Sequence, residues 1–137
     1  MIYKFHRLEI YQLALDYIDS NYEIAGKLPS SENFNLKSQL TRAATSIALN
    51  IAEGSTSQTD AEQSRFLSMA LRSLVETVAC QDLIERREYL SLQDLEPSRS
   101  AGSKLFAKIQ AMKRSLGQSQ PGEVPRFRRS AVDRRPS

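Results

Sequence analysis

The chain has 137 residues, 40% of them hydrophobic, which is enough for one domain with a single core. No apolar run could span a bilayer, residues 1–7 lack a secretion-signal core, and the lone cysteine, Cys80, can close no internal disulfide; a cytoplasmic chain with no membrane partner is expected. The net charge of +3 belongs to residues 118–137, which hold five arginines against two acids, while the rest of the chain balances to zero.

Arg7 to Ala25 reads as the first helix. Leu8, Tyr11, Leu15, Ile18 and Tyr22 recur at steps of three and four and form its predicted apolar stripe, with Asp16, Asp19 and Glu23 on the other side. Gly26 is placed to cap its end. Lys27 to Phe34, with Pro29 and Ser30-Ser31, reads as a loop.

The second helix is predicted over Leu36 to Glu53, with Asn35 as N-cap. Leu40, Ala43, Ala44, Ile47, Ala48, Leu49, Ile51 and Ala52 go most of the way round it. A helix apolar on nearly every side is expected to be buried on nearly every side, beyond what one small bundle supplies, so a second copy of the chain is implied. Gly54 is expected to be the C-cap; neither a Walker-type nor a dinucleotide-type glycine pattern surrounds it.

The third helix is predicted from Asp60 to Arg87, opened by the Thr59/Glu62 capping pair. Its stripe is Phe66, Leu67, Ala70, Leu71, Leu74, Val75, Val78 and Leu83. The fourth lies between Leu92 and Leu116, opened by Ser91/Asp94, with Leu105, Phe106, Ile109, Met112 and Leu116 facing inward. Pro97 removes a hydrogen bond six residues in, so either the helix starts near Pro97 or one turn precedes a kink there; the kink is favoured. Gly102 weakens this helix further. No segment alternates with period two, so no sheet is expected. The predicted fold is all-α: an antiparallel up-down-up-down four-helix bundle over residues 1–117, then a disordered basic C-terminal tail over 118–137.

Residues 38–54, SQLTRAATSIALNIAEG, resemble the signature of the bacterial 23S ribosomal RNA intervening-sequence proteins, roughly S-Q-x-x-R-A-A-x-S-I-x-x-N-I-A-E-G. Residues 5–14, residues 66–76 and Tyr89-Leu90 are similar to other parts of that family, so the resemblance covers Phe5 to Leu116. Ala48 stands where proline is common and Arg72 where glycine is common. The resemblance implies a four-helix bundle and a ring-like homo-oligomer, a pentamer. It also links the chain to accessory proteins of diversity-generating retroelements, which implies nucleic acid, RNA or DNA, or a reverse transcriptase as partner. The family has no established catalytic residues, so none carries over.

His6 is the single histidine and cannot supply the paired Glu-x-x-His ligands of a di-iron bundle. Cys80, among apolar neighbours, reads as packing. No catalytic, cofactor or metal site and no small-molecule substrate is expected. Arg42, Asn50, Glu53 and Glu76 are polar residues inside apolar helix surfaces and read as a structural polar network. Pairing the second and third helices about Ser57 brings Arg42 near Arg72 and one turn from Glu76, so an Arg42–Glu76 ion pair is expected. Asn50, on the face of Ala43 and Ile47, is expected buried and hydrogen-bonded. The bases that could meet nucleic acid are Lys37, Arg65, Arg72, Arg86 and Arg87, with Arg126, Arg128 and Arg129 of the tail around Phe127. Asp60, Glu62, Glu85 and Glu88 dilute the helical set. The expected function is a non-catalytic oligomeric scaffold binding nucleic acid or a partner that processes it; the alternative is a purely structural self-assembling bundle.

Overall fold

The computed structural model describes residues 2–118; the tail, with Arg126, Arg128 and Arg129, lies outside them. Four helices account for most of what is described: α1 (Glu9–Gly26), α2 (Leu36–Gly54), α3 (Asp60–Arg86) and α4 (Leu92–Gln118), with short 3₁₀ turns at Lys4–Arg7 and Ser30–Glu32. Each helix packs on two others in cyclic order, and the α2–α3 contact is the most extensive.

Cross-helix partners fix the directions. Ser20 meets Ser98 and Glu9 meets Lys108, so α1 and α4 run antiparallel. Tyr17 meets Thr77 and Asn21 meets Gln81 at one constant offset, so the diagonal pair α1 and α3 run parallel. Ser46 bonds Ser73, and Gly54 lies against Phe66, so α2 and α3 are antiparallel. The result is the up-down-up-down bundle that short connections between amphipathic helices favour.

The α1 stripe differs from the sequence expectation. The buried residues are Ile10, Ala14, Tyr17, Asn21, Ile24 and Ala25. Leu15 and Tyr22 stand 36% and 53% exposed, with Tyr11 and Ile18 half-buried beside them. The core face is rotated from the apolar stripe because Tyr17 and Asn21 find polar partners across the bundle. The α3 expectation is similarly mixed: Leu67, Ala70 and Leu74 are buried with Thr77, Cys80, Gln81 and Ile84, whereas Val75 and Leu83 face outward.

The reading of α2 as too apolar for one chain is also corrected. Ala43, Ala44, Ile47, Ala48 and Ile51 are all buried against α1 and α3 of the same chain. The small side chains of Ala43, Ala44 and Ala48 let neighbouring backbones close in. Leu49 alone of the large apolar residues of α2 points out, at 62% exposure.

The helix ends follow local chemistry. Thr59 Oγ1 accepts from the Glu62 N–H at 3.1 Å, as its capping spacing predicts. Ser91 and Asp94 complete a reciprocal box, each accepting the other's backbone N–H at 3.0 Å. Asn35 occupies the N-cap of α2 but makes no capping bond with its side chain. Glu32 does that work instead: its Oε1 accepts from the Leu36 N–H and from Asn35 Nδ2. Gly54 is the last residue of α2 rather than a left-handed cap. A Cβ there would come within 2.9 Å of Phe66 Cβ, so glycine permits the tight α2–α3 approach. Helix α4 begins well before Pro97 and passes through it, which overturns a start at Pro97. Pro97 is exposed while Leu95 and Ser98 on either side face inward.

Candidate functional site

The interior holds two apolar clusters. One joins Ile10, Ala14, Ile47, Ala48, Ile51, Leu67, Ala70, Leu74, Leu105 and Ile109. The other joins Ile24, Ala25, Leu28, Leu36, Leu40, Cys80, Ile84 and Leu95. Between them lies a layer of polar side chains that the sequence reading missed.

Tyr17, Asn21, Thr77 and Gln81 are wholly buried, with Ser98 nearly so. Thr77 Oγ1 gives its proton to the Leu74 carbonyl, so the Tyr17 hydroxyl donates to Thr77 at 2.7 Å. Ser20 Oγ donates to the Tyr17 carbonyl, so Ser98 donates to Ser20 at 2.9 Å. Gln81 Nε2 donates to Asn21 Oδ1 at 2.8 Å and to Ser98 Oγ at 3.2 Å. Asn21 Nδ2 returns to the Tyr17 carbonyl. Arg99 closes the layer from outside, donating to Gln81 Oε1 and pairing with the exposed carboxylate of Asp82. Burial pushes the Tyr17 phenol above its ordinary range, so it stays a protonated donor. Each buried side-chain nitrogen and oxygen of the layer has at least one partner. Among the described residues, the buried side-chain oxygen without a partner is Ser57 Oγ in the α2–α3 turn, away from this layer.

Gly102 belongs to the same construction. A Cβ on it would sit 2.9 Å from Tyr17 Cε1 and from the Tyr17 hydroxyl oxygen. The glycine that weakens α4 in isolation is the slot that receives the tyrosine ring.

A second polar contact ties the ends together. Glu32 Oε2 accepts from the Tyr89 hydroxyl at 2.8 Å, joining the α1–α2 loop to the α3–α4 turn. That bond, then the Leu36 N–H, holds the Glu32 carboxyl below the ordinary carboxylate range, and Glu32 in turn pushes the Tyr89 phenol up. Beside Tyr89, Glu88 takes the left-handed backbone conformation, with φ 64°, where the chain reverses into α4.

The network expected from sequence is placed differently. Arg42, Glu53 and Glu76 are exposed. Among the described residues the ion pairs are Arg99–Asp82 and Lys108–Glu9, and the expected Arg42–Glu76 pair is not formed. The α2–α3 seam pairs Ser46 with Ser73, which brings Arg42 level with Thr77 while both charged side chains lie on outer faces. Asn50 is half-buried rather than buried. Its Nδ2 donates to the Ser46 carbonyl at 2.9 Å and to Ser46 Oγ at 3.0 Å, supporting the Ser46–Ser73 bridge. His6 Nδ1 accepts the Tyr3 N–H within a cluster of Tyr3, Phe5 and Tyr11 rings. Cys80 is buried, and desolvation, then Glu76, pushes its thiol up, away from reactive thiolate.

The predicted basic residues are at the surface. Arg72, Arg86 and Arg87 are exposed, Lys37 is half-buried, and the Arg65 guanidinium lies 5.1 Å from the Phe66 ring centroid. Helix α3 as a whole carries five acids against three bases. Helix α1 carries four acids and no base. Helix α4 has two acids, Asp94 and Glu96, near its start, then Arg99, Lys104, Lys108, Lys113 and Arg114 with no further acid. This segregation was countable in the sequence as an acid-free run, but only the fold shows which face it occupies.

None of the described helices is long and apolar enough to cross a membrane. The family described as 23S rRNA-intervening sequence protein matches residues 6–111. Among solved structures, a protein of unknown function from the S23 ribosomal protein family of Bacteroides thetaiotaomicron is similar, with 22% identity and a TM-score of 0.71. That likeness covers 77% of this chain and 98% of the other, and at such identity it speaks for the fold. No curated protein matches the chain.

Proposed function

For a chain that belongs to the 23S rRNA-intervening sequence protein family, we propose a non-catalytic scaffold that associates with copies of itself and presents its bases to nucleic acid. The observation that carries this reading is where polar and apolar groups sit. Among the described residues, the polar layer spends its side-chain hydrogen bonds on its own members and on helix carbonyls, while the unpartnered Ser57 Oγ lies in the α2–α3 turn and burial pushes the Cys80 thiol up. Large apolar side chains stand outside instead: Leu15 and Tyr22 on α1, Leu49 on α2, and Val75 and Leu83 on α3. Helices α1 and α2 are neighbours, so Leu15, Tyr22 and Leu49 supply apolar area of the kind that marks contact surfaces.

Sedimentation velocity at micromolar concentration tests the self-association. Wild type is expected well above the 15.5 kDa of one chain, at about five chain masses if the assembly is a closed five-fold ring. Leu49→Glu, at a surface position, is expected to dissociate it with the helical signal intact. A wild type that sediments as a monomer overturns the scaffold. Salt-dependent binding of RNA and DNA tests the second half; no binding at low salt leaves the purely structural bundle.

A further inference from the structure

We propose that the outer face of α4 is where the bundle takes a nucleic-acid backbone, in place of the α2–α3 bases that sequence spacing suggests. The inference rests on the nucleic-acid half of the function proposed above and assigns it a surface.

The face follows from which side of α4 is buried. Leu95, Ser98, Gly102, Leu105 and Ile109 point into the core. The opposite side therefore presents Ser100, Ser103, Lys104, Ala107, Ala111 and Arg114, all exposed. Between Glu96 and Gln118 no acid interrupts it. Lys104 and Arg114 are ten residues apart, about 15 Å along the axis, a length that about four to five nucleotides of one strand occupy at ~3.4 Å each. The side chains between them are Ser and Ala, so a sugar–phosphate strand can lie close to the helix. Hydroxyls of Ser100 and Ser103 can donate to phosphate oxygens.

Charge elsewhere on the bundle favours this face over the others. Lys108 extends it, its ammonium 3.4 Å from Glu9 with both side chains well exposed, a pair that solvent screens and a phosphate can replace. Arg99 is not available, being spent on Gln81 and Asp82. Helix α1 next door repels a polyanion with Asp16, Asp19 and Glu23 and offers no base. On α3, Arg72 and Arg86 share their helix with Glu76, Asp82 and Glu85, and the helix is net acidic. The residues that follow α4 in the sequence continue its sign, with five arginines against two acids.

The test is fluorescence anisotropy of labelled single-stranded RNA, single-stranded DNA and duplex DNA, titrated with the full-length protein across a salt series. Lys104→Glu/Arg114→Glu is compared with Arg72→Glu/Arg86→Glu, two exposed pairs whose reversal changes the net charge equally. The α4 variant is expected to bind more than about tenfold more weakly at low salt, with the log–log salt slope on single strands flatter by about 1.4, two phosphate contacts at ~0.7 each. The α3 variant is expected to stay within about twofold. Equal loss in both variants, or no loss in the α4 variant, overturns the α4 assignment and leaves nucleic-acid binding standing. Deletion of residues 119–137 that abolishes binding while the α4 variant binds normally overturns it too. A wild type that fails to bind any probe at low salt removes the underlying reading as well. Far-UV circular dichroism of each variant confirms that the helices persist.

Discussion

Substituting alanine at Gly102 should destabilise the protein, although glycine to alanine inside a helix ordinarily stabilises. The ordinary gain is about 1 kcal/mol, from lost backbone freedom in the unfolded chain. Here the new methyl would lie 2.9 Å from Tyr17 Cε1 and from its hydroxyl oxygen, and 3.0 Å from Cζ. The ring cannot swing aside cheaply, because its hydroxyl is bonded to Thr77 and the side chain is wholly buried. Overpacking of this kind costs about 1–3 kcal/mol, so the net effect is a loss of about 1 kcal/mol. Gly26 is the internal control: nothing lies within 4 Å of its would-be Cβ, and Gly26→Ala should be neutral or stabilising by up to about 1 kcal/mol. Urea unfolding of the two variants measures the contrast directly. In a Tyr17→Leu background, which removes the three contacting atoms, Gly102→Ala should change sign and stabilise. Were Gly102→Ala to raise the urea midpoint of the otherwise wild-type protein as Gly26→Ala does, the slot for Tyr17 would not exist.

Other consequences are equally direct. Ser91→Ala removes one half of the box opening α4 and should cost about 1 kcal/mol in urea unfolding, whereas Asn35→Ala, lacking a capping bond, should cost clearly less. Glu32 has its pKa held down in the fold, so its contribution is present above the ordinary carboxylate pKa and is lost as pH falls through the depressed value; Tyr89→Phe, by deleting the main cause, should raise the Glu32 pKa in an NMR titration and weaken that acid-side loss. Gln81→Leu strands the buried Asn21 Oδ1 and should cost about 1–3 kcal/mol, while Asn21→Leu/Gln81→Leu should recover most of that loss; a double variant as unstable as the sum of its singles would contradict the pairing.

The helices were legible because their boundaries are written locally. Thr59/Glu62 and Ser91/Asp94 are capping pairs whose partners lie three residues away, so spacing alone reveals them. The core was less legible because its partners are distant. On α1, Leu15 and Tyr22 are more apolar than Asn21, yet Asn21 is the buried one, since Gln81 sixty residues later satisfies it. Ser98 and Gly102 are unremarkable in sequence and acquire meaning only from Ser20 and Tyr17 opposite them. Arg42 and Glu76 failed as a pair for a related reason: a shift of a few residues in the α2–α3 register changes what faces what, and spacing from an assumed turn does not determine it. The bases of α4 could have been found by counting acids along the chain, since their signal is compositional.

Why the interior carries a polar layer at all is a question of register. Two apolar clusters of Leu, Ile and Ala would tolerate sliding one helix by a turn, because such side chains repack at small cost. A one-turn slip of α1 would bring Ala14 or Ala25 opposite positions that Tyr17 and Asn21 now fill. Either slip would break both the Tyr17–Thr77 and the Asn21–Gln81 bond, at about 1–3 kcal/mol for each group left unpaired in a dry interior. Against a net stability of about 5–15 kcal/mol, two such groups suffice to make one alignment dominate. That alignment decides more than the core. It holds Leu15 and Tyr22 of α1 on the outside, and it sets Lys104 and Arg114 on the side of α4 away from Ser98. The scaffold proposed above needs those faces held in one arrangement, and the buried hydroxyls and amides of the polar layer hold them so.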